Sequence, residues 1–286
     1  MNDTEIFDRQ VRRLRRDRAA PGFAAQDFLR AHMIEGLADR LSSVTRSFSL
    51  ALDLGCFDGA LGAELRSRGT SVVSADAGFA FAQQTGGIQC DEDRLPFADE
   101  SFDLVVSAGV LDSVNDLPGA LALIRRVLKP DGLFLAAFVG AGSLPRLRAA
   151  MLAGDLSSGG AAPRVHPQIE VRAAGDLLAR AGFALPVADS EGLDVRYSGM
   201  LGLAADLRAS AATNILAGRS HAPLTRAQIG HAVQAFADAA EPDGKTRERI
   251  EIVYLTGWAP APSQPQPARR GSATHSLGEA LRKPAQ

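Results

Sequence analysis

Short apolar runs alternate with amphipathic segments through the first half of the chain. The apolar runs are 48–52, 71–75, 101–107 and 133–138. Glycine or acidic residues bound them, which is typical of buried strands. The segment 60–67 between two of them has the spacing of an amphipathic helix. Because strands alternate with helices, the pattern predicts an α/β fold with a parallel sheet.

A glycine-containing turn separates the first predicted strand from the first helix. Residues 53–59 run Asp-Leu-Gly-Cys-Phe-Asp-Gly. Such a turn lets a ligand approach the backbone, where unpaired N–H groups and the helix dipole face it. Asp76 lies 17 residues beyond Gly59, at the end of the second predicted strand. Acidic residues there bind ribose hydroxyls in doubly wound sheets, so a nucleotide-like ligand is predicted; a helix N-cap is the alternative for Asp76.

Three further motifs follow the turn in a distinctive order. They are Asp-Glu-Asp-Arg-Leu-Pro-Phe at 91–97, Phe-Asp-Leu-Val-Val-Ser at 102–107 and Arg-Val-Leu-Lys-Pro-Asp-Gly at 126–132. With these motifs, residues 50–138 resemble the class I S-adenosylmethionine-dependent methyltransferases. The resemblance implies a Rossmann-like, seven-stranded α/β fold and S-adenosylmethionine as the cofactor.

The resemblance also implies which residues bind the cofactor, whereas it identifies no catalytic residue. The implied residues are Asp53, Gly55, Cys56, Gly59, Asp76, Asp91, Glu92 and Ser107. Asp53 and the glycines would hold the amino-acid end, and Asp76 the ribose. Asp91 and the backbone of Glu92 would meet the adenine, and Ser107 would line the cleft that receives the methyl group.

Phe57 departs from the family pattern, because it occupies the position of the central glycine. A side chain there must either turn away from the ligand or narrow the pocket. We expect Phe57 to pack beneath the loop. The alternative is that cofactor binding is weakened, altered or lost.

Arginines are concentrated near the N-terminus. The cluster is Arg9, Arg12, Arg13, Arg15, Arg16 and Arg18. Phe7, Val11 and Leu14 recur beside it at helical spacing, which predicts an amphipathic helix. This helix could bind an anionic substrate, an acidic partner protein or, peripherally, a membrane surface. A solvated arginine face is the alternative interpretation.

Composition narrows the other possibilities. A net charge of −2 over 286 residues gives no indication of a nucleic-acid partner. Cys56 and Cys90, the two cysteines, support neither a disulfide framework nor a zinc site, and the scattered histidines predict no metal site. We expect both cysteines to be small buried residues. With no long apolar run and no acid-poor presequence, we expect a cytoplasmic protein.

The second half of the chain predicts additions to the core. Strands are expected at 183–188 and 249–258, and the family normally joins its last two strands by a hairpin. Residues from about 190 to 246 are therefore interpreted as a helical lid that builds the substrate pocket together with the arginine helix. The expected organisation is an N-terminal helical segment at 1–45, a methyltransferase domain at 46–258 with its core at 48–139, and a disordered tail at 259–286 with a short helix at 276–282.

The flanking segments carry a second resemblance. The segments are 6–9, 16–20, 114–119, 175–183 and 252–258. With them the chain resembles the methyltransferase-type assembly factors of respiratory complex I and, more distantly, the malonyl-carrier-protein O-methyltransferases of biotin synthesis. We expect methyl transfer to a small-molecule or protein acceptor. The resemblance also implies, as alternatives, hydroxylation of an arginine in a complex I subunit or a non-catalytic scaffold. For an acceptor that must lose a proton, His166 and Tyr197 are the candidate bases.

Overall fold

The computed structural model describes residues 5–264, 271–272 and 276. The predicted helix at 276–282, apart from its first residue, and most of the predicted tail lie outside this range. Among the described residues the helices are α1 (Arg9–Ala19), α2 (Phe28–Ser42), α3 (Ala60–Ser67), α4 (Phe79–Thr85), α5 (Leu117–Val127), α6 (Pro145–Leu156), α7 (Val171–Arg180), α8 (Met200–Ala209) and α9 (Arg226–Ala237). The strands are β1 (Leu50–Leu54), β2 (Ser71–Asp76), β3 (Ile88–Gln89), β4 (Phe102–Ala108), β5 (Leu128–Val139), β6 (Ala184–Tyr197) and β7 (Thr246–Trp258).

These strands form one sheet in the order β3-β2-β1-β4-β5-β7-β6. The first five strands are parallel, and β7 runs antiparallel to both β5 and β6. The predicted seven-stranded, Rossmann-like α/β fold is confirmed. Because the chain turns to opposite sides of β1 to form β2 and β4, a crevice opens beyond the carboxyl ends of β1 and β4.

Helices cover both faces of the sheet, as the apolar strands require. On one face, Ala51 and Leu104 pack with Leu37 of α2 and Leu61 of α3. On the other face, neighbouring strand residues pack with α4, α5 and α7, for example through Ile124. The resulting three-layer core places the glycine turn, 55–59, at the open crevice.

The helical segment between the last two strands begins later than predicted. Residues 190–197 pair with β7 in an unbroken antiparallel register that ends at Tyr197 opposite Thr246. The start near 190 is therefore wrong, because β6 continues through the alternating Leu193, Val195 and Tyr197. The segment 198–245 carries α8 and α9, which pack on α6 around the fully buried Phe236.

The predicted N-terminal helix is present as α1, but the residues that it buries differ from expectation. Leu14 is 47% exposed, whereas Arg12 and Arg16 are only 6% and 4% exposed. The solvated arginine face is thus wrong for these two residues. Over the part of the chain that the structure describes, no helix has both the length and the apolarity needed to cross a bilayer.

Candidate functional site

The glycine turn after β1 contains three residues with positive φ, of which two are glycines that adopt such angles without strain. Gly55 and Gly59 have φ values of 76° and 84°. A Cβ on Gly55 would lie 2.5 Å from Val110 Cγ1, so the fold itself requires this glycine. Phe57 lies between them with a φ of 48°, which is uncommon for a bulky residue. The turn ends where α3 begins, and most of its N–H groups are already bonded: those of Gly55 and Cys56 donate to the carbonyl oxygen of Ala75 at 2.8 and 3.0 Å.

The ring of Phe57 packs beneath the loop, as expected. It stacks on Phe23, with ring centroids 4.7 Å apart, and lies edge-on to Phe81 at 5.3 Å. The guanidinium carbon of Arg16 lies 3.8 Å from the ring centroid of Phe57 on α1's side of the crevice. The aromatic cluster therefore provides a surface for a flat cation.

Asp76, the predicted ribose ligand, has partners on both carboxylate oxygens. Backbone N–H groups of Gly78 and Phe57 donate to it at 2.7 and 3.0 Å. Arg16 forms a bidentate pair with the same carboxylate, its Nε donating at 2.8 Å. Burial opposes ionisation, but the charge of Arg16 and these hydrogen bonds outweigh it, so the pKa of Asp76 is lowered. An arginine of α1 thus occupies the acceptor predicted for ribose.

The acidic loop after β3 is likewise engaged by α1. The pairs are Arg12–Glu92 at 2.7 Å, Arg13–Asp91 at 2.6 Å and Arg9–Asp93 at 2.6 Å. Arg12 donates to both oxygens of Glu92, and both side chains are buried. The adenine side predicted for Asp91 and Glu92 is therefore bordered by arginines. Sequence reasoning missed this arrangement, although the spacing of the arginines on one helical face was its signal.

Three predicted site residues have buried oxygens that lack a partner among the described residues. They are Asp53, Asp91 and Ser107. Burial raises the pKa of Asp53 to about 6. Buried polar atoms are rarely left without hydrogen bonds, so these oxygens at strand ends can accept or donate to a ligand.

The cysteines show no sign of reactivity. Cys56 lies in the glycine turn and Cys90 beside the acidic loop, and both are buried. Burial raises the pKa of each thiol to about 12. The expectation of small buried residues is confirmed, because a thiolate is disfavoured at both positions.

A cavity of about 380 Å³ lies next to this crevice. Gly109 and Asp112, just beyond the carboxyl end of β4, form part of its wall. Its apolar wall comes from α2, α6 and α8 and includes Met33, Leu147, Met151, Leu203 and Leu207. This is the position predicted for a substrate pocket beneath the lid and beside the N-terminal helices.

Within the described residues, Asp112 and Asp206 of the cavity wall lack an ion-pair partner, and among the arginines of the wall only the exposed Arg208 is likewise unpaired. The buried or half-buried arginines of its wall are already paired: Arg12 with Glu92, Arg16 with Asp76, Arg30 with Asp58 and Arg164 with Asp155. Burial raises the pKa of Asp112 to about 6 and that of Asp27 to about 7. Sequence reasoning missed Asp112, although a carboxylate directly after β4 was its signal.

The two predicted bases also line the cavity. The Nε2 atom of His166 accepts a hydrogen bond from the backbone N–H of Ile215 at 3.1 Å. Burial, with Arg15 and Arg12 nearby, lowers the pKa of His166 to about 4. Burial also raises the pKa of Tyr197. His166 is thus neutral near pH 7 with one nitrogen already in use, which leaves Asp112 better placed to take a proton. The described residues contain no cluster of three potential metal ligands.

Comparison with known proteins agrees with this geometry. Residues 52–136 match the model of a methyltransferase domain. The human protein named arginine-hydroxylase NDUFAF5, mitochondrial, is 37% identical over 96% of this chain and 83% of its own length. A malonyl-[acyl-carrier protein] O-methyltransferase from Methylovorus sp. (strain MP688) is 32% identical over 90% of this chain and 91% of its own. The crystal structure of YcgJ from Bacillus subtilis superposes with a TM-score of 0.55 at 16% identity, covering 81% of this chain and 99% of that one.

Proposed function

This chain belongs to the S-adenosylmethionine-dependent methyltransferase family, and we propose that it acts on the cationic, arginine-like side chain of a partner protein. The observation that carries the proposal is the acidic cavity at the carboxyl end of β4. There Asp112 and Asp206 face an apolar wall and form no ion pair within the described residues, and these two carboxylates outnumber Arg208, the one arginine of the wall that is unpaired in the same range. A guanidinium on a hydrocarbon stem complements both parts of this cavity.

The residues at the crevice fit S-adenosylmethionine, the cofactor of the family. Asp53, Asp91 and Ser107 offer buried oxygens that have no partner among the described residues, and Asp76 stands at the end of β2 where a ribose is held. Gly55 and Gly59 give the turn its left-handed backbone. When bound, the cofactor supplies a methyl group on a positively charged sulfur.

The remaining chemistry belongs to the chain itself. Asp112 would orient the acceptor by accepting its N–H hydrogen bond, and it would take the proton that the nitrogen releases. A carboxyl group whose pKa lies near 6 is largely ionised at pH 7 and suits this role. The apolar wall and the lid exclude water, which strengthens the attraction between a cation and Asp112.

The charge of the cavity disfavours a carboxylate acceptor. An anionic malonyl group would face Asp112 and Asp206, and like charges in a partly desolvated site repel. For this reason we place the acceptor nearer to that of the arginine hydroxylases than to that of the malonyl O-methyltransferases. A subunit of respiratory complex I is the partner that the flanking resemblance favours.

Hydroxylation of the same arginine is the second candidate function. The observation in its favour is the activity for which the human relative is named, since that relative covers 96% of this chain at 37% identity. Both candidates need the same acceptor in the same cavity. They differ in the group that is added, and therefore in the mass of the product, and they also differ in co-reactant, because hydroxylation with dioxygen needs a two-electron reductant whereas methyl transfer needs neither.

Binding of small probes tests the acceptor class. N-acetyl-arginine amide is compared with its neutral isostere, N-acetyl-citrulline amide, and with N-acetyl-glutamate amide by titration calorimetry. We expect the arginine probe to bind most tightly and Asp112→Asn to remove its advantage over citrulline. The exposed Asp39→Asn on α2 is the matched control. Equal binding of arginine and citrulline would refute the proposal. Mass spectrometry of an arginine peptide incubated with S-adenosylmethionine, with and without dioxygen and a reductant, then distinguishes an added methyl group from an added hydroxyl.

A further inference from the structure

Arg16 occupies the ribose position of the cofactor site from within the chain. Its guanidinium pairs with both oxygens of Asp76 and lies on the ring of Phe57. Asp76 is fully buried, and its other hydrogen bonds come from the loop backbone. A pair of ribose hydroxyls would need the oxygens that Arg16 holds. Arg16 and the ribose therefore cannot bind Asp76 in the same way at the same time.

The rest of α1 reinforces this contact. Arg9, Arg12, Arg13 and Arg16 follow one another at helical spacing, so they share one face of the helix. That face meets Asp93, Glu92, Asp91 and Asp76 in turn. All four carboxylates belong to the loops at the carboxyl ends of β2 and β3. The helix is thus held by the acidic groups that border the predicted cofactor site.

Apart from these ion pairs, α1 has a limited apolar attachment. Phe7 packs with Ile215 and Leu216 in a small separate cluster, with Val11 against it. Leu14, in the middle of the helix, is 47% exposed. A 3-10 turn containing Pro21 and Gly22 follows the helix, and a Cβ on Gly22 would meet nothing within 4 Å. Movement of the helix about Gly22 can leave Phe23 in the core cluster, but it breaks the hydrogen bond that the backbone N–H of Ala80 donates to Asp17 at 2.9 Å.

We propose that α1 is a displaceable latch on the cofactor site, in which Arg16 and the ribose of S-adenosylmethionine compete for Asp76. The latch must leave Asp76 before the cofactor binds there. This inference rests on the family's cofactor and is independent of the acceptor. It also explains why Phe57 is tolerated in the glycine turn, since its ring stacks with the guanidinium in the latched state.

Titration calorimetry with S-adenosylhomocysteine tests the competition directly. We expect Arg16→Met to bind at least about tenfold more tightly than the natural protein, because Asp76 loses its internal partner. Arg12→Met should increase the affinity for S-adenosylhomocysteine by less, because it removes the contact of α1 with Glu92 and leaves the Arg16–Asp76 pair in place. Arg15→Met is the matched control on the same helix, since Arg15 donates to Thr213 Oγ1 and contacts no carboxylate of the site. Its affinity should equal that of the natural protein.

Hydrogen exchange gives a readout that does not depend on affinity. In the natural protein, S-adenosylhomocysteine should increase the exchange of the α1 amides while it protects the glycine turn. The latch is supported if Arg16→Met binds S-adenosylhomocysteine more tightly and the ligand increases the exchange of the α1 amides in the natural protein. It is also supported if Arg16→Met binds the ligand and the natural protein does not. Weaker binding by Arg16→Met, added protection of α1, unchanged affinity or no binding by either protein would each overturn it. Arg12 and Arg16 also line the acceptor cavity, but these titrations contain no acceptor probe, so failure of the acceptor proposal would leave their results unaffected.

Discussion

At the scale of single residues, Asp53 shows how a predicted binding group can destabilise the fold that carries it. Its carboxylate is fully buried at the end of β1 and has no hydrogen-bond partner among the described residues. Burial raises its pKa from the ordinary 3.8 to about 6. Between these pH values the folded protein keeps a proton that the unfolded chain has lost. The free energy of unfolding therefore falls as the pH rises through this window, by at most about 3 kcal/mol.

We expect Asp53→Asn to be more stable than the natural protein at about pH 8, by about 1–3 kcal/mol, because the uncharged amide avoids the desolvation of a carboxylate. The difference should become small near pH 3, where Asp53 is mostly protonated in both states. Urea unfolding at the two pH values measures it. Asp103→Asn is the control: Asp103 is also buried, but it accepts hydrogen bonds from the backbone N–H groups of Ser49 and Leu50. This change should destabilise the fold by about 1–2 kcal/mol. If Asp53→Asn also destabilises at about pH 8, the carboxylate has a partner in solution.

At the scale of elements, the lid depends on a close crossing of α6 and α9. Gly154 of α6 faces α9 so closely that a Cβ would lie 2.7 Å from the carbonyl oxygen of Gln228 and 3.2 Å from Ala232 Cβ. The backbone contact cannot be relieved by a side-chain rotation, so the two helices must separate. Because Leu147 and Met151 of α6 also line the cavity, the crossing links the lid to the proposed acceptor site.

We expect Gly154→Ala to destabilise the lid by about 1–3 kcal/mol, as overpacking does elsewhere. Gly230 lies in the middle of α9 with open space around its Cβ position. Gly230→Ala should therefore stabilise the same helix by up to about 1 kcal/mol through helix propensity alone. Hydrogen exchange of the α9 amides measures both effects: faster in the first variant and slower in the second. If both variants changed the exchange rate of the α9 amides in the same direction, the crossing would not control the stability of the lid.

At the scale of the whole molecule, local patterns predicted most of the strands but not the ion pairs between α1 and the carboxylates at the ends of β2 and β3. The apolar runs predicted β1, β2, β4 and the second half of β5, and the spacing after the turn placed Asp76 at the end of β2. By contrast, the spacing of the arginines indicates a charged helical face but not its partners, because Arg12 and Glu92 lie 80 positions apart. Asp112 follows β4 closely, but its place in the cavity wall depends on how the segment 198–245 folds back, which no local pattern encodes. Sequence therefore predicted the cofactor crevice, whereas only the structure shows that α1 pairs with the carboxylates that border it.

The contacts that hold α1 differ from those that hold the sheet, so we expect α1 and the sheet to unfold separately. The helix is held by ion pairs and a small apolar cluster around Phe7, whereas the sheet buries large clusters on both faces. Release of α1 exposes little apolar surface, and the urea dependence of a transition scales with the surface exposed. Trp258, the single tryptophan, lies at the end of β7 and reports on the sheet.

We therefore expect tryptic cleavage within α1 to begin at urea concentrations at which Trp258 fluorescence is still native. Arg16→Met should move the onset of cleavage to lower urea and leave the fluorescence transition almost unchanged, because the ion pairs of α1 contribute to a local equilibrium and not to the core. Arg15→Met, which removes one tryptic site and no ion pair to the site carboxylates, separates loss of the latch from loss of a cleavage point. Coincident transitions in the natural protein would place α1 within the cooperative core and would make its release too costly for a ligand to drive.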